Sequence, residues 1–177
     1  MTEVSSDRTG FRIFRAADAQ PVMESGCITI EPMSDLQIDV LTRAVEAGYL
    51  EGDEVKILVN IPGFSLTYAW FKKHYPLALH SHNSDCLYYV IAGGLRLGTE
   101  ELGPQDCIFV PAGTPYNFKP GPDGVEVIEF RQANEFNFLN LSKGAAFWEK
   151  AIETIKANVD DWKVAVRPSQ QALSPQN

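Results

Sequence analysis

The fold of this chain is indicated most directly by residues 80–94, which read HSHNSDCLYYVIAGG. Side chains alternate across an extended strand, so His80 and His82 are expected to share one face of it. Two neutral imidazoles on one face suit a first-row divalent metal such as iron, zinc, manganese or nickel. The alternative is that one or both rings only make hydrogen bonds at the mouth of a barrel. Gly93 and Gly94 are expected to end the strand, as in a hairpin.

A second informative stretch covers residues 103–116, which read GPQDCIFVPAGTPY. The pattern predicts a tight turn, a strand ending in Pro-Ala-Gly, and a further strand that begins at Tyr116. The phenol of Tyr116 is a candidate metal ligand or proton donor. It could equally be an aromatic pocket wall whose hydroxyl makes one hydrogen bond. Cys86 has the strand parity of His82, so it is either a thiolate ligand or a small buried hydrophobe.

Composition restricts the classes of protein to which the chain can belong. Its 177 residues, 45% apolar and 21% charged, are those of one globular domain with a full core. The net charge of −8 and the lack of a lysine or arginine block argue against binding to nucleic acid or an anionic membrane. No apolar stretch approaches the roughly 18 residues of a membrane span. Three cysteines without zinc-ribbon spacing favour a reducing cytoplasm.

Helices are predicted on both sides of a region rich in strands. Ser34 and Gln37 have the spacing of a capping box, and Gly48 is a fitting stop for the helix that follows. Short strands separated by Gly, Pro, Asn or Asp fill residues 54–131, which predicts a sandwich or small barrel. A last helix over about 144–160 is expected to pack on the outside of that barrel or on a partner subunit. Its apolar stripe comprises Trp148, Ile152, Ile155 and Val159.

Together the two stretches resemble the motifs of the cupin superfamily. The first cupin motif is a histidine pair, a glutamate three or four residues later, and a glycine six residues after that. The positions that match it are His80, His82 and Gly93. The second motif runs from a glycine through Pro-x-Gly to a histidine. The positions that match it are Gly103, Pro111 and Gly113, with a gap before Pro111 that is two residues longer than the family pattern.

The resemblance implies an all-β fold, namely the double-stranded β-helix (jelly roll) of a cupin barrel, here with an N-terminal and a C-terminal helix. We therefore expect residues 1–53 to supply strands and a helix that pack on the barrel. The barrel itself is expected over 54–131, where the resemblance lies. A C-terminal extension with a helix is expected over 132–167, and a disordered tail over 168–177.

Two positions depart from the cupin pattern. The family's glutamate falls on Cys86 and its last histidine falls on Tyr116. The metal ligands implied by the resemblance are therefore His80, His82, Cys86 and Tyr116, and a soft thiolate among them would favour zinc or iron. Cupin thiol dioxygenases also carry a cysteine at this position, but they keep the third histidine. Cupin lyases that use a tyrosine in proton abstraction make Tyr116 a catalytic candidate.

The function that this resemblance implies is a small metal-binding cupin. It would be an enzyme of dioxygenase, lyase or isomerase type, acting on a small organic molecule in an apolar cavity. Aromatic residues at alternating strand positions are candidates for the pocket wall, although in a narrow barrel they would be core: Tyr68, Trp70, Tyr88, Phe109, Phe118 and Phe130.

Two other functional classes remain open. One is a non-catalytic binding or sensing module that has lost the metal, and the other is a purely structural dimer. Cupins that resemble this chain often pair through strand exchange or through sheet contacts, so a homodimer is expected.

Overall fold

The computed structural model describes residues 10–171, in which ten β-strands and three α-helices occur. The strands are β1 (Gln20–Pro21), β2 (Ile28–Ile30), β3 (Asp53–Ile61), β4 (Phe64–Phe71), β5 (His80–Ser81), β6 (Cys86–Leu97), β7 (Glu100–Leu102), β8 (Cys107–Val110), β9 (Lys119–Arg131) and β10 (Phe136–Asn140). The helices are α1 (Asp35–Glu46), α2 (Ala145–Lys163) and α3 (Pro168–Gln171).

The strands form two sheets. The larger sheet has seven strands in the order β1-β3-β4-β9-β6-β7, with β8 also paired to β6, and its neighbours are antiparallel. The smaller sheet has the order β2-β10-β5, in which β10 runs parallel to β2 and antiparallel to β5. The predicted class, an all-β jelly roll with a helix before and after it, is confirmed.

The inner face of the large sheet is defined by the alternation of buried side chains along its central strands. In β4 the inward positions begin at Ser65 and continue to Phe71, and in β9 they begin at Val125 and continue to Arg131. The inward residues are Ser65, Thr67, Ala69 and Phe71 in β4, and Val125, Val127, Glu129 and Arg131 in β9. Half of this face is therefore apolar, around Phe71 and Val125, and the half near Arg131 is polar.

Helix α1 forms as the capping pattern predicts. The Ser34 side chain accepts a hydrogen bond from the Gln37 backbone N–H, and the Gln37 side chain accepts one from the Ser34 backbone N–H. Gly48 follows the helix with a φ of 106°, a left-handed conformation that favours glycine. Val40 and Ala44 bury one face of α1 in the main core.

Helix α2 packs more deeply than the sequence indicated. Ile152 and Ile155 belong to the main core, and the indole of Trp148 donates a hydrogen bond of 2.9 Å to the Ser142 carbonyl. The Trp148 side chain also lines the central cavity described below. The expectation that this stripe would lie on the barrel exterior or on a partner is thus wrong for Trp148, because α2 lies against α1 at the end of the barrel.

Two further expectations differ from the structure. Strand β6 does not end at Gly93 but continues to Leu97, with a register irregularity after Gly93. Gly93 has a φ of 71°, and a Cβ there would clash with the carbonyl oxygen of Gly124. Residues 168–171 form α3, with Pro168 buried, rather than part of a disordered tail. The rest of that predicted tail, 172–177, and the first nine residues lie outside the described chain.

Candidate functional site

A cavity of about 550 Å³ lies between the inner faces of the two sheets. Its wall is mostly apolar and aromatic, with contributions from both sheets, α1 and α2. The polar side chains on the wall that matter for chemistry are Asp53, Thr67, His80, His82, Glu129 and Arg131. A concave, largely apolar site with a few converging polar groups is the usual form of a small-molecule site.

His80 lies on β5, an outer strand of the small sheet. Its backbone pairs with Asn140 of β10 on one side and with Tyr116 on the other. Its ring stacks on Phe138 with 4.8 Å between centroids and lies 4.4 Å from the ring of Tyr116. The ring Nδ1 lies 2.8 Å from the carbonyl oxygen of Ala78, so the main chain orients the imidazole.

His82 lies beside His80, with 5.1 Å between the ring centroids, and both rings line the cavity. The Nδ1 of His82 is hydrogen-bonded to the carbonyl oxygen of Asn137 in β10. The sequence-based expectation that the two imidazoles lie on one side is met by this arrangement. The carbonyl partners, which come from outside the motif, were not predictable from it.

Both imidazoles are neutral bases whose Nε2 carries the lone pair. A carbonyl oxygen can only accept a hydrogen bond, so Nδ1 carries the proton in each neutral ring. Burial lowers the pKa of His80 and, with the nearby Arg131 guanidinium, lowers the pKa of His82 to about 3. Within residues 10–171 neither Nε2 has a hydrogen-bond partner. Each ring is therefore free to accept a proton from a bound molecule.

Glu129 and Arg131 form a buried ion pair on the same wall. Arg131 Nη1 lies 2.8 Å from Glu129 Oε2, and the two side chains are 1% and 9% exposed. Burial opposes the charge on Arg131, but the Glu129 carboxylate outweighs that effect and raises the pKa of Arg131. The guanidinium carbon lies 4.1 Å from the centre of the Phe136 ring, a cation–π contact. Arg131 therefore remains a cation inside the cavity.

Tyr116 and Cys86 stand behind the cavity wall rather than on it. The hydroxyls of Tyr116 and Tyr88 are hydrogen-bonded to each other, and of the two only Tyr88 lines the cavity. Burial and the Glu129 charge raise the pKa of both phenols well above the usual range. The same two causes raise the pKa of the Cys86 thiol to about 12. All three groups are thus neutral hydrogen-bonding groups.

Of the six aromatic residues predicted for the pocket wall, only Tyr88 and Phe118 line the cavity. The prediction is wrong for Tyr68 and Trp70, which lie on the opposite face of β4, under the guanidinium of Arg167. It is also wrong for Phe109, which is exposed on β8, and for Phe130, which contacts Phe64 on the outer face.

The error is one of parity, because a shift of one residue moves every side chain of a strand to the other face. The large aromatics were assigned to the inside of β4 and β9, whereas the structure places the smaller Thr67 and Ala69 there. Because of the same one-residue shift, Glu129 and Arg131 were not predicted as cavity residues. Their signal was present in the sequence, because both have the parity of Val125 and Val127.

The donor set does not fit a divalent cation as it is arranged. Among residues 10–171 no three or more His, Cys, Asp or Glu side chains cluster in a way that could hold a metal ion. Cys86 lies behind the cavity wall, where burial raises the pKa of its thiol and so disfavours the thiolate form that a metal requires. The Tyr116 hydroxyl is engaged by Tyr88, and the Arg131 cation beside His82 opposes a second positive charge.

Comparison with solved structures identifies the fold. The polyketide cyclase RemF from Streptomyces resistomycificus superposes with a TM-score of 0.55 over 85% of this chain and 99% of RemF, at 19% identity. An RmlC-like cupin from Shewanella frigidimarina matches 46% of this chain and 76% of its own, with a TM-score of 0.41 and 21% identity. This chain has the cupin fold. Bacillus subtilis oxalate decarboxylase matches 51% of this chain and 28% of its own chain, with a TM-score of 0.46 and 17% identity.

These similarities concern the fold of this chain and not its activity, because all three identities are below 25%. No protein-family model matches the chain, and no curated protein matches it in sequence. Among the described helices, residues 10–171, none is long and apolar enough to cross a membrane.

Proposed function

We propose that this cupin is an enzyme that transfers a proton on a small, largely apolar organic molecule bound in the cavity. The observation that carries the proposal is the pair of imidazoles on the cavity wall, each with Nδ1 fixed by a backbone carbonyl and Nε2 free. Of the reaction types that the sequence left open, lyase and isomerase chemistry begin with such a transfer. RemF supports the proposal only as an enzyme on the same fold.

Of the two imidazoles, His80 is the better candidate for the general base. Burial lowers the pKa of both rings, so both are unprotonated at neutral pH and the lone pair of His80 Nε2 is available. The pKa of about 3 makes His82 the weaker base of the two. A positioned base typically accelerates proton transfer by about 10²–10⁴-fold. The hydroxyl of Tyr88 lies on the same wall and could return the proton, while Tyr116 holds that hydroxyl in place. In this proposal Tyr116 is a positioning residue.

The test uses 2-tetralone, a bicyclic ketone with acidic C–H bonds, whose hydrogen–deuterium exchange in D₂O is followed by NMR. The variants His80→Asn and His82→Asn keep an amide N–H for the backbone carbonyl but remove the Nε2 base. We expect the wild-type protein to accelerate exchange and each variant to lose about tenfold or more of that acceleration. The matched control is His74→Asn at the third histidine, which is exposed and has a φ of 63° that asparagine tolerates.

Equal exchange rates in the wild type and in both cavity variants would contradict the proposal. Binding of 2-tetralone without accelerated exchange would instead support the non-catalytic binding module. The His74→Asn variant must exchange at the wild-type rate, because its side chain is outside the cavity.

A metal-dependent enzyme is a second candidate, supported by the orientation of the histidines. Metal-ligating histidines commonly donate their second ring N–H to a carbonyl, as His80 and His82 do. Elemental analysis of protein from metal-replete cells separates the candidates. Near-stoichiometric iron, zinc, manganese or nickel that is lost in the His80→Asn/His82→Asn double variant would favour the metal site. Metal-free protein with undiminished exchange would favour metal-independent proton transfer.

A further inference from the structure

We infer that the molecule bound in this cavity carries a carbonyl oxygen, and that Arg131 and Thr67 bind that oxygen. This inference rests on the proposed function and names its substrate class, a small ketone or related carbonyl compound with an apolar body. It is carried by two residues of the cavity wall, Arg131 and Thr67, whose side-chain donors make no hydrogen bond of good geometry within residues 10–171.

Arg131 has donor capacity that the protein does not use. Its side chain is 1% exposed, and a guanidinium has five N–H donors. The ion pair with Glu129 is close, but none of the three guanidinium nitrogens makes a hydrogen bond of good geometry with a described residue. A buried donor without a partner is costly, so a ligand that accepts from it gains affinity.

Thr67 is a second unpartnered donor on the same wall. It lies opposite Glu129 in the β4–β9 pairing, two positions along β4 from the residue opposite Arg131. Its Oγ1 is buried and has no hydrogen-bond partner within residues 10–171. Thr67 and Arg131 both line the cavity, so one occupant would lie against both residues.

The charge balance favours a neutral acceptor over an ion. Arg131 disfavours a cation in the cavity, and Glu129 already compensates the Arg131 charge, so a full negative charge is not needed. The rest of the wall is apolar and aromatic, and the cavity volume of about 550 Å³ is within the range for drug-sized ligands. A carbonyl group on an alicyclic or aromatic frame meets all three conditions.

A carbonyl at this position also explains how the proton transfer would work. The C–H bond next to the carbonyl breaks, its proton moves to an imidazole Nε2, and its electron pair forms the C=C bond of an enolate. The negative charge develops on the oxygen held by Arg131 and Thr67, where preorganised donors stabilise it. Return of the proton to the same or another carbon completes an isomerisation without any other reactant.

The test compares 2-tetralone with tetralin, which has the same bicyclic frame without the oxygen, by titration calorimetry. We expect the ketone to bind the wild-type protein about tenfold or more tightly than tetralin. The Thr67→Val variant keeps the side-chain shape and should reduce this ratio severalfold. The Glu129→Gln/Arg131→Met double variant, which leaves no buried charge unpaired, should abolish it. Thr99→Val, at an exposed threonine, is the matched control and should leave the ratio unchanged.

Tetralin affinity is the folding control, because it depends on the apolar wall alone. Equal affinity of the wild type for both compounds would overturn the inference. The proposed function would still stand in that case if exchange depended on His80 and His82. A preference for the ketone without any exchange overturns the proposed function and leaves the inference standing. If neither compound binds, both fail. Tighter binding of 2-naphthoate than of 2-tetralone would overturn the assignment to a neutral carbonyl.

Discussion

His82 illustrates how one buried residue makes the stability of this protein depend on pH. Its folded-state pKa of about 3 lies below the value near 6.5 of an unfolded histidine. The neutral ring of His82 therefore makes its full contribution to the free energy of unfolding above about pH 6.5. That contribution is lost as the pH falls towards 3, because the unfolded chain then binds a proton that the folded chain does not.

The first prediction is that His82→Asn makes the protein less sensitive to acid. Between pH 7 and pH 5 the wild type should lose about 2 kcal/mol of unfolding free energy through His82, and the variant should not. Urea unfolding at the two pH values measures the difference. The His74→Asn control should follow the wild type, and an equal acid loss in His82→Asn would contradict the assignment.

The second prediction is that Asp53 makes the protein less stable as the pH rises, which is the opposite of the effect of His82. Burial raises the pKa of Asp53 to about 7, against the effects of a hydrogen bond from Tyr75 and of the Lys72 charge. Its contribution to stability is present below about pH 4 and is lost as the pH rises towards 7, because ionisation is then easier in the unfolded chain. Asp53→Asn should stabilise the protein at pH 8 by about 2–4 kcal/mol and have little effect at pH 4.

Thermal and urea unfolding of Asp53→Asn at pH 4 and pH 8 provide the measurement. The control is Asp123→Asn at an exposed position, for which no pH-dependent difference is expected. A stabilisation of the same size at both pH values would show that packing, and not the carboxyl charge, is responsible.

At the level of single residues, the histidine pair was predictable from the sequence, because side chains two residues apart on a strand lie on the same face. The sequence did not allow the ring tautomers to be predicted. The tautomer of His82 depends on the carbonyl of Asn137, which is 55 residues away, and that of His80 depends on how the chain turns at Ala78. The roles of Cys86 and Tyr116 also depend on burial, which a motif alone does not determine.

Strand β6 is the element most constrained by a single glycine. It continues through Gly93, where the backbone of Gly124 approaches so closely that no side chain fits. Both glycines have positive φ, so the close approach joins two strands at a position where each chain is irregular.

We therefore predict that Gly93→Ala destabilises the protein by about 2–4 kcal/mol, through conformational strain and the clash together. Gly98→Ala separates the two causes, because Gly98 has a φ of 61° but no atom within 4 Å of a Cβ built there. It should cost about 1 kcal/mol from strain alone. Chemical denaturation of both variants gives the comparison, and equal losses would exclude a steric contribution at Gly93.

At the level of elements, the strands and the cap of α1 were predictable because they depend on local patterns. Which set of alternate residues faces inward was not predictable, because the two-residue period of a strand is the same whichever of its faces is covered. In β4 the outer face is covered by the C-terminal segment. Arg167 lies over Tyr68 and Trp70, and the Ser169 backbone N–H donates to Glu126. A segment that is distant in sequence, which contains Arg167 and Ser169, therefore covers one face of β4 and leaves the other face to line the interior.

The whole molecule presents an apolar patch on the outer face of the large sheet, for which we propose a second copy of this chain as the partner. Strand pairing sets Leu87 beside both Phe109 and Phe130, with Tyr89 two positions along β6. Leu87, Tyr89 and Phe109 are exposed, with Phe109 at 61%. Contiguous exposed apolar patches commonly mark interfaces, and a two-fold dimer places one such patch against itself.

The prediction is that the wild type is a homodimer in light scattering and that Phe109→Glu shifts it to a monomer. The control is Ile38→Glu, at a site on α1 that is 49% exposed and is not part of the large sheet. A wild-type mass of one chain, or a dimer that Phe109→Glu leaves intact, would contradict the use of this surface.

The anchoring of both imidazoles by main-chain oxygens has a consequence for the evolution of this protein. The oxygens of Ala78 and Asn137 stay in place whichever side chains those positions carry, provided that the strands keep their course. The aromatic lining can then mutate to admit molecules of new shape while the proton-accepting atoms keep their orientation. Such a scaffold can diversify its ligands without rebuilding its chemistry.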